Sequence, residues 1–320
     1  MATNEEDDRL PSFHEIVKRF SLFSAAATCN PQVGPGGSLR CRCQGCTDWY
    51  AFVEGCSPLS KEVQYEVLTE EHVHGLANYL LLQAAEYRLP VMKVLEVGAG
   101  SGRLNFHLNR LLNRLSRDSK DFVVHVTASD NGERGLNGPN VNVEDAVKAI
   151  SQENPHLVMV SWMPMGVDWT ASMRATDSVL EYILIGEMDD GICGDPWLTW
   201  GSRFPGDESS SDTSSHDNGC LNSKLTYELH ESRSCSNYGP GKAAVMIETE
   251  NPSGDKESGD ESSSQSIDGI STQPLRPYEA DGWVRIELEH LSKFQICRTD
   301  ERWSTYRHSH TVSFRRLPMN

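Results

Sequence analysis

Long apolar runs are missing from this 320-residue sequence. None approaches the roughly 20 residues that cross a bilayer, so no membrane partner is expected. Met1 to Asp8 carry neither the basic nor the apolar stretch of a secretory leader. The expected setting is cytoplasmic, with the nucleus as the other compartment. Basic residues are scarce too: 29 against 46 acidic ones, a formal charge of -17. Phosphate backbones are held by cations, so general nucleic-acid binding is not expected. The nine cysteines, an odd number, are expected mostly as thiols or metal ligands rather than disulfides in a reducing compartment. Internal repeats are absent.

The chain is long enough for one sizeable α/β domain with appendages. Phe13, Ile16, Val17, Phe20 and Phe23 make an amphipathic helical face, followed from Ala27 to Pro58 by a loop rich in Gly, Pro and Cys. A helix is predicted from Thr69, whose hydroxyl can cap it, with Val73, Leu76, Ala77, Leu80, Leu81 and Ala84 on its buried face and Pro90 stopping it. Strands are predicted at Val91 to Val97, Phe122 to Ala128, Val141 to Val143, Leu157 to Ser161 and Tyr182 to Gly186, with a helix around Ala146, Val147 and Ile150 ended by Asn154 and Pro155. Such alternation implies a doubly wound parallel sheet. Phe294 to Arg298 and Thr311 to Arg315 read as a closing antiparallel pair.

The region 204–274 differs in kind. From Gly206 to Ala280 there are 14 acids and 5 bases. That composition cannot bury enough apolar area to offset ordering entropy, so a disordered acidic insertion is expected, with local structure at Leu221 to Leu229 and Ala243 to Ile247. The expected division is an extension at 1–68 and a main domain at 69–320 interrupted by that insertion.

The most informative stretch is Val94 to Leu104, where an apolar strand containing Glu96 opens into Gly98, Ala99, Gly100, Ser101 and Gly102. Glycines there let the backbone take positive φ and let a ligand lie against it. Leu104, Leu108, Leu111 and Leu115 then form a helical stripe. A dinucleotide fingerprint would need a third glycine at position 103, and the chain has Arg103.

With Glu96 ahead of three alternating glycines, the segment resembles motif I of the class I S-adenosylmethionine-dependent methyltransferases. The resemblance implies a Rossmann-like sheet of about seven strands with an antiparallel C-terminal strand. It implies S-adenosylmethionine as cofactor, cradled by the main chain of Gly98, Ala99, Gly100 and Gly102, with Glu96 helping to hold its amino-acid end. Asp130, after the second strand, matches the family's ribose-binding acid, although Asp130 to Gly132 also reads as a plain turn. Asp145, after the third strand, matches the adenine-reading position; equally, Asn142 or Glu144 caps the next helix and leaves Asp145 solvated. Ser161 opens the acceptor side, where Trp162, Met163 and Met165 either wall a pocket or pack. The Pro-Pro-aromatic motif of amine-methylating members is absent, which puts base or glutamine methylation in doubt.

Methyl transfer needs proximity, orientation and a dry site more than a base. Asp168, Glu187, Asp189, His308 and His310 are conceivable bases, but none is assigned as catalytic. Trp197 and Trp200 either stack a planar acceptor or anchor the insertion. Segments at Asp168 to Thr170, Ile183 to Glu187 and Thr311 to Arg316 resemble a subgroup of these enzymes for which the resemblance supplies no substrate. Cys41, Cys43 and Cys46, flanked by Cys29 and Cys56, offer thiolates for zinc, yet only one C-x-x-C pair is present, half of a recognised pattern. Reduced thiols in a glycine-rich loop are the other reading, and no metal site is assigned. The expected function is methyl transfer to an unidentified small-molecule or protein acceptor. A scaffold that recruits partners through the Cys-rich loop and acidic insertion is the alternative.

Overall fold

The computed structural model describes residues 9–33, 39–116, 122–136, 138–189, 191–202 and 274–318. The expected acidic insertion, including Leu221 to Leu229 and Ala243 to Ile247, lies outside them, apart from Pro274 at its edge.

The extension contains α1 (Phe13–Phe20), the short pair β1 (Gln32–Val33) and β2 (Leu39–Arg40), and α2 (Gln44–Val53). Ser12 caps α1 in a reciprocal box with Glu15. The sequence reading made 27–58 a loop, whereas α2 forms within it because Cys46, Trp49, Phe52 and Val53 share a buried face. Trp49, Phe52 and Val53 pack with Phe13, Ile16, Phe20, Val67 and Ile296.

Next come α3 (Glu70–Glu86), β3 (Val91–Val97), α4 (Arg103–Leu115), β4 (Val123–Asp130), β5 (Asn142–Val143), α5 (Ala146–Glu153), β6 (Leu157–Ser161), α6 (Thr170–Ala175) and β7 (Glu181–Glu187). Thr69 caps α3 as expected, by accepting from the His72 N–H. Its other end falls earlier than Pro90. Arg88 takes φ +53, and the chain leaves the helix there. After the insertion follow α7 (Pro277–Ala280), β8 (Trp283–Glu287), α8 (Glu289–Ser292) and β9 (Ser309–Arg316).

Seven strands form one sheet in the order β5-β4-β3-β6-β7-β9-β8. The first five are parallel, and β9 runs antiparallel to both neighbours, as the methyltransferase resemblance implies. One expectation fails: Phe294 to Arg298 is not the partner of β9. That strand is β8, while Phe294 and Ile296 turn into the apolar cluster under α1 and α2.

Strand alternation divides the core. Met92, Val94, Val124, Val126, Met159 and Ile183 face Leu76 and Leu80 of α3 and Leu108 and Leu112 of α4. Leu95, Val97, Val158, Val160, Tyr182 and Leu184 face Ala149 and Ile150 of α5 and Met173 of α6. This two-sided burial explains the near-continuous apolar runs of the central strands. The order reverses between β3 and β6, opening a crevice at their carboxyl ends. Among the described residues no helix is long and apolar enough to cross a membrane.

Candidate functional site

That crevice holds a cavity of about 680 Å³. Its wall includes Glu96, Gly98, Ala99, Gly100, Asp130, Asp145 and Ser161, seven of the eight residues singled out from the sequence. The turn between β3 and α4 places Gly98, Gly100 and Gly102 at φ +67, +53 and +72, a region that side chains enter at a cost. Ala99 N–H donates to the Ser129 carbonyl at 3.0 Å and Gly102 N–H to the Ala99 carbonyl at 2.9 Å, which pins the turn. A Cβ on Gly100 would meet only Leu136, at 3.9 Å, and would stand in the open cavity.

Gly102 serves a different purpose. It is buried outside the cavity wall, and an added Cβ would lie 2.6 Å from Val141 Cγ2. Its missing side chain lets α4 start close to that residue.

Asp130 is positioned by two main-chain donors, Gly100 N–H to Oδ2 at 3.0 Å and Gly132 N–H to Oδ1 at 2.8 Å. It therefore is a turn former, and each oxygen keeps a further lone pair for a ligand hydroxyl. Asp145, rather than Asn142 or Glu144, caps α5: its Oδ1 accepts from Val147 N–H at 2.9 Å and Lys148 N–H at 3.4 Å. It is exposed at the cavity rim.

Glu96 is only 2% exposed. The Asn105 backbone N–H, in the first turn of α4, supports the carboxylate, but burial outweighs it and, with the charge of Asp130 adding, pushes the pKa up to about 8. Oε2 has no partner among the described residues. A buried carboxyl oxygen without a partner, on a residue of the cavity wall, is free to pair with an amino or hydroxyl group.

Across the crevice, Glu66 is buried, and burial raises its pKa to about 8 against hydrogen bonds from Trp162, Ser309 and Gln295. Trp162 Nε1–H donates to it at 2.9 Å, Ser309 Oγ at 2.8 Å and Gln295 Nε2 at 3.1 Å. Tyr65, Trp162 and Trp169 give this end of the cavity an aromatic lining. The Tyr65 and Trp162 rings lie 5.6 Å apart, and the Arg298 guanidinium sits over Tyr65 at 4.9 Å. Glu66 and Tyr65 were not singled out from the sequence. They belong to the aperiodic segment before α3, which pairs with the chain around Cys297 through the bridge from Glu66 to Cys297 and the Arg298 N–H on the Tyr65 carbonyl.

The remaining acceptor-side candidates divide. Trp162 lines the cavity, Met163 is core at 3% exposure, and Met165 is 41% exposed. Trp200 is buried and its indole N–H donates to the Cys193 carbonyl at 2.6 Å, so it anchors this loop rather than stacking a ligand. None of the five conceivable bases is in the wall. Asp168 accepts from the Thr170 and Thr199 hydroxyls, Glu187 from Thr299 and the Ile192 N–H, and Asp189 pairs with Arg285. Burial lowers the His308 pKa, with His310 adding to it.

Beyond the cavity, the sulfurs of Cys29, Cys41, Cys43 and Cys46 all lie within 4.8 Å of one another. Cys56 is not in the group; it is disulfide-bonded, against the expectation of thiols or metal ligands.

No family model matches the chain, and no curated protein matches it. Parts of it align with solved structures. The CurJ carbon methyltransferase aligns at 10% identity over 36% of this chain and 35% of its own, with TM-score 0.24. A Bacillus halodurans C-125 protein designated a methyltransferase aligns at 18% identity over 34% and 51%, TM-score 0.22. A Galdieria sulphuraria protein designated a sarcosine dimethylglycine methyltransferase aligns at 13% over 44% and 60%, TM-score 0.25. All three names say methyltransferase; the chain spans less than two thirds of each.

Proposed function

We propose that this chain moves a methyl group from S-adenosylmethionine to a small-molecule or protein acceptor. The observation that carries this reading is the unpartnered Oε2 of buried Glu96 in a cavity wall that also holds the main chain of Gly98 to Gly100, where Gly100 faces open space, at the reversal point of the sheet. Glu96 would receive the amino-acid end of the cofactor, directly or through a water. Asp130, with lone pairs to spare, would accept from the ribose hydroxyls. Asp145 at the rim would meet the adenine amino group with its second carboxylate oxygen, since Oδ1 caps α5. Ser161 and Trp162 would border the acceptor.

The bound cofactor supplies a methyl carbon already activated on a sulfonium, so an in-line displacement asks the protein for alignment and a dry site. Tyr65, Trp162 and Trp169 provide apolar surface at that end of the cavity. Asp168, Glu187, Asp189, His308 and His310 stand outside the wall, and Glu66 is the buried acid at its aromatic end.

Calorimetric titration with S-adenosylmethionine tests the reading. The unaltered chain should bind, Gly100→Val should abolish binding by filling the cavity and straining the turn, and Asp130→Ala should weaken it by about ten-fold, the scale of a lost hydrogen bond to a charged group. Equal affinity in all three would remove the assignment.

A further inference from the structure

The four clustered thiols stand outside the cavity wall, and we infer that Cys29, Cys41, Cys43 and Cys46 form a closed structural zinc site that folds the N-terminal extension.

The geometry is the first argument. Cys29 Sγ lies 3.8 Å from Cys43 Sγ and 3.7 Å from Cys46 Sγ. A tetrahedron with Zn–S bonds of about 2.3 Å has S···S edges of about 3.8 Å. Two edges are thus at their metal-bound lengths, and no pair exceeds 4.8 Å. Local structure sets this up. Cys43 is the N-cap of α2 and Cys46 lies in its first turn, three residues on and on the same face. Cys41 leaves β2, and Cys29 approaches from a turn closed by its N–H on the Ala26 carbonyl at 2.9 Å. All four donors are sulfur, and no position is left for water, the pattern of a structural rather than a catalytic site.

The surroundings suit the charge. Ion binding replaces four thiol protons, which pass to solvent, and one zinc ion with four thiolates carries two net negative charges. The Arg302 guanidinium donates to Cys43 Sγ at 3.2 Å, and the Asn30 N–H to Cys41 Sγ at 3.4 Å. Gly45 gives the guanidinium its place, since an added Cβ there would overlap it. Such outer contacts orient ligands and offset their charge.

The third argument is what the segment lacks. β1 and β2 are two residues each, with Val33 71% and Leu39 52% exposed. So short a ribbon has no core of its own to hold it. A metal held by the four thiols would tie Cys29 and Cys41, on either side of this ribbon, to the start of α2. The segment 300–302, which reaches the thiols through Arg302, is tied to the extension: Phe23 N–H donates to the Glu301 carbonyl at 3.0 Å, Ala26 N–H to that of Arg302 at 2.9 Å, and Trp49 Nε1–H to that of Asp300 at 2.8 Å.

The test is metal content, read without the cofactor and so independent of the methyl-transfer reading. The full chain, expressed with zinc and purified under reducing conditions without chelator, should hold about one zinc per chain by plasma mass spectrometry. Cys41→Ser/Cys46→Ser should lower that at least about ten-fold, while Cys193→Ser, a buried thiol outside the group, should not. Cobalt exchanged into the unaltered chain should give the visible bands of a tetrahedral tetrathiolate, a readout that does not require the variant to fold. Metal-free unaltered protein with no such bands, or full zinc in the double variant, overturns the proposal.

Discussion

The indole N–H of Trp162 donates to the Glu66 carboxylate at 2.9 Å, tying the residue after β6 to the segment that leads into α3. Trp162 holds φ +61, an uncommon state for a bulky side chain that persists only when its surroundings fix it. Its N–H on the Ile185 carbonyl, at 2.8 Å, and its indole on Glu66 are the fixtures. Both residues line the cavity, so this bond shapes its aromatic end.

Trp162→Phe removes the donor while keeping an aromatic ring. Glu66 retains Ser309 and Gln295, so the expected loss is about 1–2 kcal/mol, the scale of one hydrogen bond to a charged or buried group. A urea midpoint equal to that of the unaltered chain would mean that the bond contributes nothing to the fold.

Stability should fall with rising pH through Glu96. Its pKa is about 8 in the folded chain against an ordinary 4.5. Between those values the folded state keeps a proton that the unfolded state has lost. The stabilisation is therefore full below about 4.5 and lost as pH rises through about 8, at up to about 1.4 kcal/mol per pH unit. Glu96→Gln cannot titrate and should flatten the slope of melting temperature against pH by that share. A slope unchanged in the variant would show that Glu96 is already ionised at neutral pH.

Gly102 and Gly166 separate backbone strain from overlap. Both take positive φ, +72 and +73. Alanine at Gly166 meets nothing within 4 Å among the described residues, whereas at Gly102 its Cβ would lie 2.6 Å from Val141 Cγ2. Gly166→Ala should cost about 1 kcal/mol in strain alone, and Gly102→Ala about 1–3 kcal/mol more through overpacking. Equal losses by denaturant titration would mean that α4 shifts freely away from Val141.

The alternating apolar strands, the glycine turn and the Thr69 cap were legible in the sequence because each rests on contacts close along the chain. Val91 to Val97 was bounded correctly for that reason. Glu66 was not legible: nothing in its neighbours marks it, and its position depends on Cys297, 231 residues later, pairing with it. Phe294 to Arg298 was misread as a strand because its apolar residues serve the cluster under α1 and α2 rather than a sheet. The four sulfurs are a mixed case, since spacing gave Cys41, Cys43 and Cys46, while folding rather than proximity in sequence selected Cys29 over Cys56.

At the amino end of β7, away from the cavity at the strand carboxyl ends, Glu181 is fully buried. It accepts from the hydroxyls of Tyr79, Tyr87 at 2.8 Å and Ser313 at 2.5 Å, and Arg315 Nε lies 3.7 Å away. Burial raises its pKa, opposed by Ser313, Tyr79 and the Arg315 charge. Arg315 also donates to the Tyr79 hydroxyl at 3.0 Å, so one cation supports both the acid and one of its donors. Arg315→Met should therefore cost about 3–5 kcal/mol, the penalty of leaving a buried charge without its partner. With the cation gone the folded-state pKa rises further, so the loss should be greatest at high pH and ease as pH falls and Glu181 takes up a proton. Glu181→Gln added to Arg315→Met should recover part of the loss, giving a coupling of at least about 1 kcal/mol in a double-mutant cycle. Additive losses would show that the two residues stabilise the sheet independently. Cofactor affinity should stay unchanged throughout, because this network and the cavity occupy opposite ends of the strands.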